Sequence, residues 1–262
     1  MLSLITRFIA VLLFIHLSYA FNFKHQNRQK TMLVVVAHPD DEMAMADVLV
    51  KYRRLGYKVY VIIATDGKDG VRITSIPAGD SLGSIRKKES TCGCKTMGIE
   101  PPVFLSIDRL DTKIGVRNYF NAHKQLLDSL IQRIPAIDPD IIITFGPDGD
   151  SHHAEHIVVG SAVTEVLLQK GWVEKYPLYY IAYNKYYGEM GDLGYMDEKY
   201  INVEVSYSQE DELIGLAANK CYVSQITAAE MKDDYESKVK DTANKSFFRR
   251  FSIKQGKQKE FD

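Results

Sequence analysis

The 262-residue chain is short of several features that would place a protein quickly. It has three cysteines, Cys92, Cys94 and Cys221, so at most one internal disulfide can form and one thiol is left over. Cys92-Gly93-Cys94 is not the two-residue spacing of a zinc knuckle. Neither sign of charge is in excess: 33 Lys and Arg face 34 Asp and Glu, a net of -1, which gives no general attraction to nucleic acid. There is no internal repeat and no second domain boundary. The apolar stretch Phe8 to Leu17 falls short of the about 20 residues that a comfortable transmembrane helix needs.

What is present is ordinary globular material, 45% hydrophobic and 26% charged, at a length suited to one large α/β domain. Met1 to Arg7 has one positive charge and no acid, an apolar core follows, and Ser18-Tyr19-Ala20 precedes a cleavage point. That is the layout of a secretory signal peptide over 1–20, with a secreted or periplasmic protein as its consequence and an uncleaved membrane anchor as the alternative. The folded body is expected over 21–231. Residues 232–262 read as a charged, flexible tail; from Lys245 it has six Lys and Arg against two acids, with weak contact to an anionic membrane surface as the second reading.

Hydrophobic runs at 32–37, 58–64, 102–107 and 140–145 read as buried strands. Helices are expected at about 41–54, 81–98, 118–134 and 153–169, with strands again at 178–183 and 200–205 and a helix over 209–231. Alternating strands and helices with short links predict a Rossmann-like, doubly wound, mostly parallel sheet with helices on both faces. Eight tyrosines lie between Tyr176 and Tyr200; they read as packing, or as a lip on which a sugar could stack.

Chemistry concentrates at two strand ends. Ala37-His38-Pro39-Asp40-Asp41-Glu42 follows the first strand, where open α/β sheets place ligands. Three adjacent acids repel unless a cation or hydrogen bonds compensate; the bland reading is a charged helix start. The second cluster, His152-His153-Ala154-Glu155-His156, follows the fourth strand, and on a helix His153 and His156 face one side. Four of the seven histidines lie in these two segments. Two imidazoles and a carboxylate make a three-ligand metal site with positions left open for catalysis. A neighbouring carboxylate can take a proton and another imidazole can stabilise an oxyanion.

These residues resemble the PIG-L/LmbE-like de-N-acetylase family. Ala37-His38-Pro39-Asp40-Asp41-Glu42 is similar to its signature, and Thr144-Phe145-Gly146-Pro147-Asp148-Gly149 followed by His153-x-x-His156 to its second motif. Thr65-Asp66-Gly67, Arg86-x-x-Glu89 and Lys220 with Ser224-Gln225 extend the likeness over roughly residues 31 to 230. The resemblance implies a zinc-dependent amidase releasing acetate from an N-acetylglucosamine-type sugar conjugate. It implies His38, Asp41 and His156 as metal ligands, Asp40 as general base, and His153 as oxyanion stabiliser and general acid. It further implies Arg86 as a sugar-hydroxyl contact, with Asp108 or Asp111 as the acid of a substrate loop. Imidazole and carboxylate also suit iron or cobalt, so the chemistry of the donors leaves the metal open. Tyr222 stands where many relatives have histidine, and His152 where they often have glycine. The rival functions are a non-catalytic carbohydrate-binding protein on the same fold and a metal hydrolase of another bond, such as an ester. Cys221 reads as a buried free thiol, with a disulfide to Cys92 or Cys94 as the alternative. Oligomeric state is open.

Overall fold

The computed structural model describes residues 28–191 and 193–260. The expected signal peptide at 1–20 lies outside the described residues.

The first strand, β1 (Thr31–Val36), is buried along its whole length. A continuous apolar run of this kind fits a parallel strand covered on both faces. A short 3-10 turn (Asp41–Met45) leads into α1 (Ala46–Arg54). There follow β2 (Lys58–Thr65), α2 (Asp80–Met97), β3 (Val103–Ile107), α3 (Val116–Ile137) and β4 (Ile141–Thr144). A kinked turn at Gly149–His152 precedes α4 (Ala154–Gln169) and β5 (Leu178–Ala182). The chain then forms α5 (Lys185–Gly191), β6 (Val203–Ser206), α6 (Gln209–Asn219), α7 (Ala228–Lys240) and β7 (Lys245–Arg250).

The seven strands lie in the order β3-β2-β1-β4-β5-β7-β6. β1 pairs in parallel with both β2 and β4, and β4 with β5; β7 runs antiparallel to β5 and to β6. The expected doubly wound, mostly parallel sheet is therefore present. The chain leaves β1 on one side through β2 and β3, then returns to β4 on the other. That reversal opens a crevice beyond the carboxyl ends of β1 and β4, and the two histidine-bearing loops start at these two strands.

Three expectations need correction. The flexible tail from 232 is instead α7 followed by β7, which fills the sheet between β5 and β6. Phe248 opposes Ile181 and Val203 and is buried, while Lys245 pairs with Glu204 and Arg249 donates to the Tyr200 carbonyl. The charges thus border an apolar strand rather than solvating a free end. The helix expected over 209–231 is two helices, because Thr227 and Glu230 form a second capping box that restarts the helix after a turn. Cys221 lies in that turn and is bonded to Cys92 of α2, with 5.8 Å between Cα atoms; the buried thiol is Cys94.

Candidate metal centre and active site

His38 and Asp41 come from the loop after β1. Asp41 Oδ2 accepts the backbone N–H groups of Ala37 (3.0 Å) and His38 (2.6 Å), which closes the loop and aims the carboxylate inward. His156 lies in the first turn of α4, its ring stacked on Phe145 with centroids 4.1 Å apart. The three side chains converge. His38 Nδ1 is 3.2 Å from His156 Nε2, His156 Nε2 is 3.2 Å from Asp41 Oδ1, and His38 Nδ1 is 3.4 Å from Asp41 Oδ2. Ligands about 2.0–2.1 Å from a tetrahedral metal stand roughly 3.3 Å from one another, so the spacing is that of one face of such a shell.

The opposite nitrogen of each ring is also held. His38 Nε2 lies 2.7 Å from Glu155 Oε2, and His156 Nδ1 lies 2.9 Å from Asp150 Oδ1 and 3.1 Å from the Gly149 carbonyl. Each imidazole therefore has a carboxylate behind it and a lone pair to offer in front, the arrangement that orients metal-bound histidines. Glu155 and Asp150 are supporting residues of the candidate site that motif reading missed. Glu155 stood in the quoted histidine cluster, but the ring it supports, His38, is 117 residues away; Asp150 lies just outside the quoted segments, six residues before His156.

Charge balance tests the fit of a metal. Asp41, Asp150 and Glu155 face two imidazoles that are formally neutral. Burial by itself would lower the pKa of His38, but Asp41 and Glu155 overcome it and raise it to about 9. Burial likewise opposes protonation of His156, yet Asp41 and Asp150 raise it to about 10. Protons on these rings do the balancing that a divalent cation would do. The donor set and its charge fit a divalent metal.

Asp40 stands beside this group with φ 117°, a left-handed conformation that costs a side-chain-bearing residue roughly 1–3 kcal/mol. Three contacts hold it. Its N–H donates to Glu42 Oε2 (3.0 Å), Arg86 Nη2 donates to its Oδ1 (2.9 Å), and the same Nη2 donates to the Pro39 carbonyl (2.7 Å). Burial raises the Asp40 pKa to about 7 against the lowering effect of Arg86. Arg86 itself is 4% exposed, and its Nη1 is spent on the Gly67 carbonyl at 2.7 Å. Arg86, the expected sugar-hydroxyl contact, is among the residues lining the cleft and in the structure is also a buried brace for Asp40. A Cβ at Gly67 would lie 2.6 Å from the Arg86 Cζ, so the glycine makes room for the guanidinium.

His153 caps α4: its Nδ1 accepts the Glu155 N–H at 3.2 Å, which leaves the proton on Nε2. Its ring centroid is 4.8 Å from those of both His38 and His156. Burial, then the two neighbouring rings, lower its pKa. His38, His153 and His156 bring ring nitrogens within 4.8 Å of one another. His152 is exposed and does not line the cleft.

The cleft over these residues has a volume of about 650 Å³. Lys68 and Asp108 form one part of its rim, with 2.5 Å between Nζ and Oδ1. Of the two candidate loop acids, Asp108 lines the cleft; Asp111 is turned to Arg109 instead. Among the described residues no tyrosine lines the cleft, so none of these forms the expected stacking lip there. Tyr180 lines a larger and mostly apolar cavity of about 910 Å³, to which Phe145 also contributes and whose described lining includes no histidine or aspartate.

Comparison with known proteins places the same stretch of chain in a family. The family model described as PIG-L, GlcNAc-PI de-N-acetylase, matches residues 33–167, a stretch that contains both histidine loops. A 1D-myo-inositol 2-acetamido-2-deoxy-alpha-D-glucopyranoside deacetylase of Rhodococcus jostii is 27% identical over 160 residues, 55% of each chain. The chain thus spans about half the length of the curated relatives it matches. Among solved structures, N,N'-diacetylchitobiose deacetylase of Pyrococcus horikoshii superposes with a TM-score of 0.62 at 16% identity, covering 86% of this chain and 85% of that one. The 4-carboxy-2-hydroxymuconate hydratase GalB of Pseudomonas putida gives 0.63 at 13% identity, covering 87% and 99%. The fold alone therefore carries more than one chemistry. Because the matched segment spans both histidine loops and half of the chain, this protein belongs to the PIG-L, GlcNAc-PI de-N-acetylase, family.

Proposed function

We propose that the protein is a zinc-dependent N-deacetylase that releases acetate from an N-acetylglucosamine-type sugar conjugate. The observation that carries this reading is the triangle of His38 Nδ1, Asp41 and His156 Nε2, with edges of 3.2 to 3.4 Å, and Asp40 beside it. Bound there, zinc would polarise the acetyl carbonyl and lower the pKa of its water towards about 7.

The chain's own residues do the rest. Asp40, whose pKa stands at about 7, takes the proton of the attacking water at a carboxylate oxygen. Arg86 stays on Oδ1 and keeps that carboxylate oriented. His153 turns Nε2–H towards the cleft while Nδ1 remains the cap of α4, so it donates to the developing oxyanion as a neutral ring. Delivery of a proton from His153 to the leaving amine would require Nδ1 to give up the cap, so the proton that Asp40 took from the water is the one passed to the leaving nitrogen as the C–N bond breaks. The ion-paired rim of Lys68, Asp108 and Arg109 suits a polyhydroxylated substrate better than an apolar one.

We infer that the protein is exported after loss of residues 1–20. The Cys92–Cys221 disulfide supports this, since such bonds persist in oxidising compartments. The test of the whole reading is a product screen. Purified, zinc-loaded protein is incubated with a panel of GlcNAc conjugates, and loss of one acetyl group is followed by mass spectrometry. Release from at least one conjugate, abolished by Asp40→Asn, is expected; zinc bound with no acetate from any conjugate would sink the reading.

A further inference from the structure

The unusual Cys92-Gly93-Cys94 segment has a structural meaning that motif reading does not supply. Each residue does something different around one side chain, Tyr222. Cys92 is bonded to Cys221, the residue next to Tyr222. Gly93 lies under the tyrosine ring, where a Cβ would come 2.7 Å from Cε2 and 2.8 Å from Cζ. Cys94 is buried and free on the same turn of α2. Tyr222 is itself fully buried, and its hydroxyl donates to Glu42 Oε1 at 2.8 Å. Ser90 Oγ donates to the same oxygen. The other oxygen of Glu42 accepts the N–H of Asp40 at 3.0 Å. A continuous path thus runs from the disulfide, through Tyr222 and Glu42, to the backbone of a residue held at φ 117°.

We propose that Tyr222 is a positioning residue for Asp40, acting through Glu42, and that the Cys92–Cys221 disulfide fixes Tyr222 for that task. The inference rests on the assignment of Asp40 as general base. The physical reason is that a left-handed aspartate relaxes unless something holds it. Glu42 is fully buried, so its carboxylate depends on the hydrogen bonds from Tyr222 and Ser90 to stay in place. Withdrawing the tyrosine hydroxyl lets Glu42 turn, and the Asp40 N–H loses its acceptor. The hydrogen bonds of the Tyr222 and Glu42 side chains go to one another, to Ser90 and to the Asp40 N–H and not to His38, Asp41 or His156, so metal content is expected to hold.

The test compares the wild type with Tyr222→Phe, which removes one oxygen, and Gly93→Ala, whose methyl group would displace the ring. Val223→Ala serves as control, since Val223 is 69% exposed on the same turn. Two quantities are measured: amide exchange at Asp40 by NMR, and kcat, KM and bound metal in the acetate-release assay. In both variants the Asp40 amide should exchange faster relative to the amides of α4. Their kcat should fall about tenfold while KM and metal content stay within about twofold, because a misplaced base slows chemistry without weakening binding. Cys92→Ser should give the same pattern more weakly, and Val223→Ala should move neither quantity. Unchanged exchange at Asp40 in Tyr222→Phe would overturn the proposal, as would faster exchange with kcat intact. If the wild type releases acetate from no conjugate, the deacetylase reading fails on its own account. Exchange at Asp40 then still decides whether Tyr222 holds that residue.

Discussion

The loop after β1 and the loop after β4 meet over one cleft, yet they are held in different ways. Asp40 in the first loop depends on Arg86, 46 residues away, and its neighbour Glu42 on Tyr222, 180 residues away. The second loop is mostly self-supporting. His153 caps its own helix, and His156 leans on Asp150, six residues earlier, and on the Gly149 carbonyl. One bond crosses between the loops at the back of the rings, from His38 to Glu155. The difference suits the proposed division of labour. A metal ligand needs a fixed lone pair, which a helix start and a nearby carboxylate can supply. A base held in a left-handed conformation needs restraint from several directions, and the local chain offers only Glu42, which is itself held by Tyr222.

The comparison is broken most severely at His156. His156→Ala removes a corner of the triangle and leaves Asp41 and Asp150 facing each other without the ring between them. Bound zinc, measured by elemental analysis, should be lost, and turnover with it. Asp40→Asn should do the opposite: zinc content stays near that of the wild type, while kcat falls about 10²–10⁴-fold, the usual contribution of a positioned base. A variant that lost both metal and turnover would mean that Asp40 belongs to the same unit as the ligands.

Legibility in the sequence follows the same line between local and distant. β1 could be read because a parallel strand buried on both faces is apolar at every position, and Met32 to Val36 is such a run. The histidine clusters could be read because their partners stand within a few residues or at an adjacent strand end. β7 could not: its neighbours β5 and β6 end more than thirty residues before it, and Lys245, Arg249 and Arg250 mask Phe248 in any count of composition. Arg86 was legible as a motif residue but not as a buried brace, since the Gly67 and Pro39 carbonyls that occupy it carry no sequence signature. The pairing of Cys92 with Cys221 required the distance between α2 and the turn after α6.

A finer test concerns what stands behind the rings. Asp150→Asn keeps the shape of the loop but removes the charge that faces His156 Nδ1. Metal affinity, followed by competition with a chelator, should weaken about 10–100-fold, the range for losing such a supporting carboxylate. The Asp40 amide, tied to Glu42 and not to this loop, should exchange as before.

The smallest effect expected is at the far support of the first loop. α1, which continues that loop, is tied through Arg54 to Asp211 at the start of α6, with bonds of 2.9 and 2.7 Å. Arg54 and Ser208 hold the Asp211 carboxyl down to about 2. A carboxyl depressed below its unfolded value contributes stability at pH above about 4, and that contribution is lost as the pH falls through about 2. Arg54 is largely in water, so the ion pair itself adds little; what acid removes is chiefly the cap that Asp211 and Ser208 give each other, worth about 1 kcal/mol. Asp211→Asn should therefore lower stability by about that amount at pH 7 and flatten the acid limb of the stability curve between about pH 4 and 2. Hydrogen exchange should quicken in α1 and α6 and stay unchanged in α4, because the second loop brings its own cap and takes nothing from this pair.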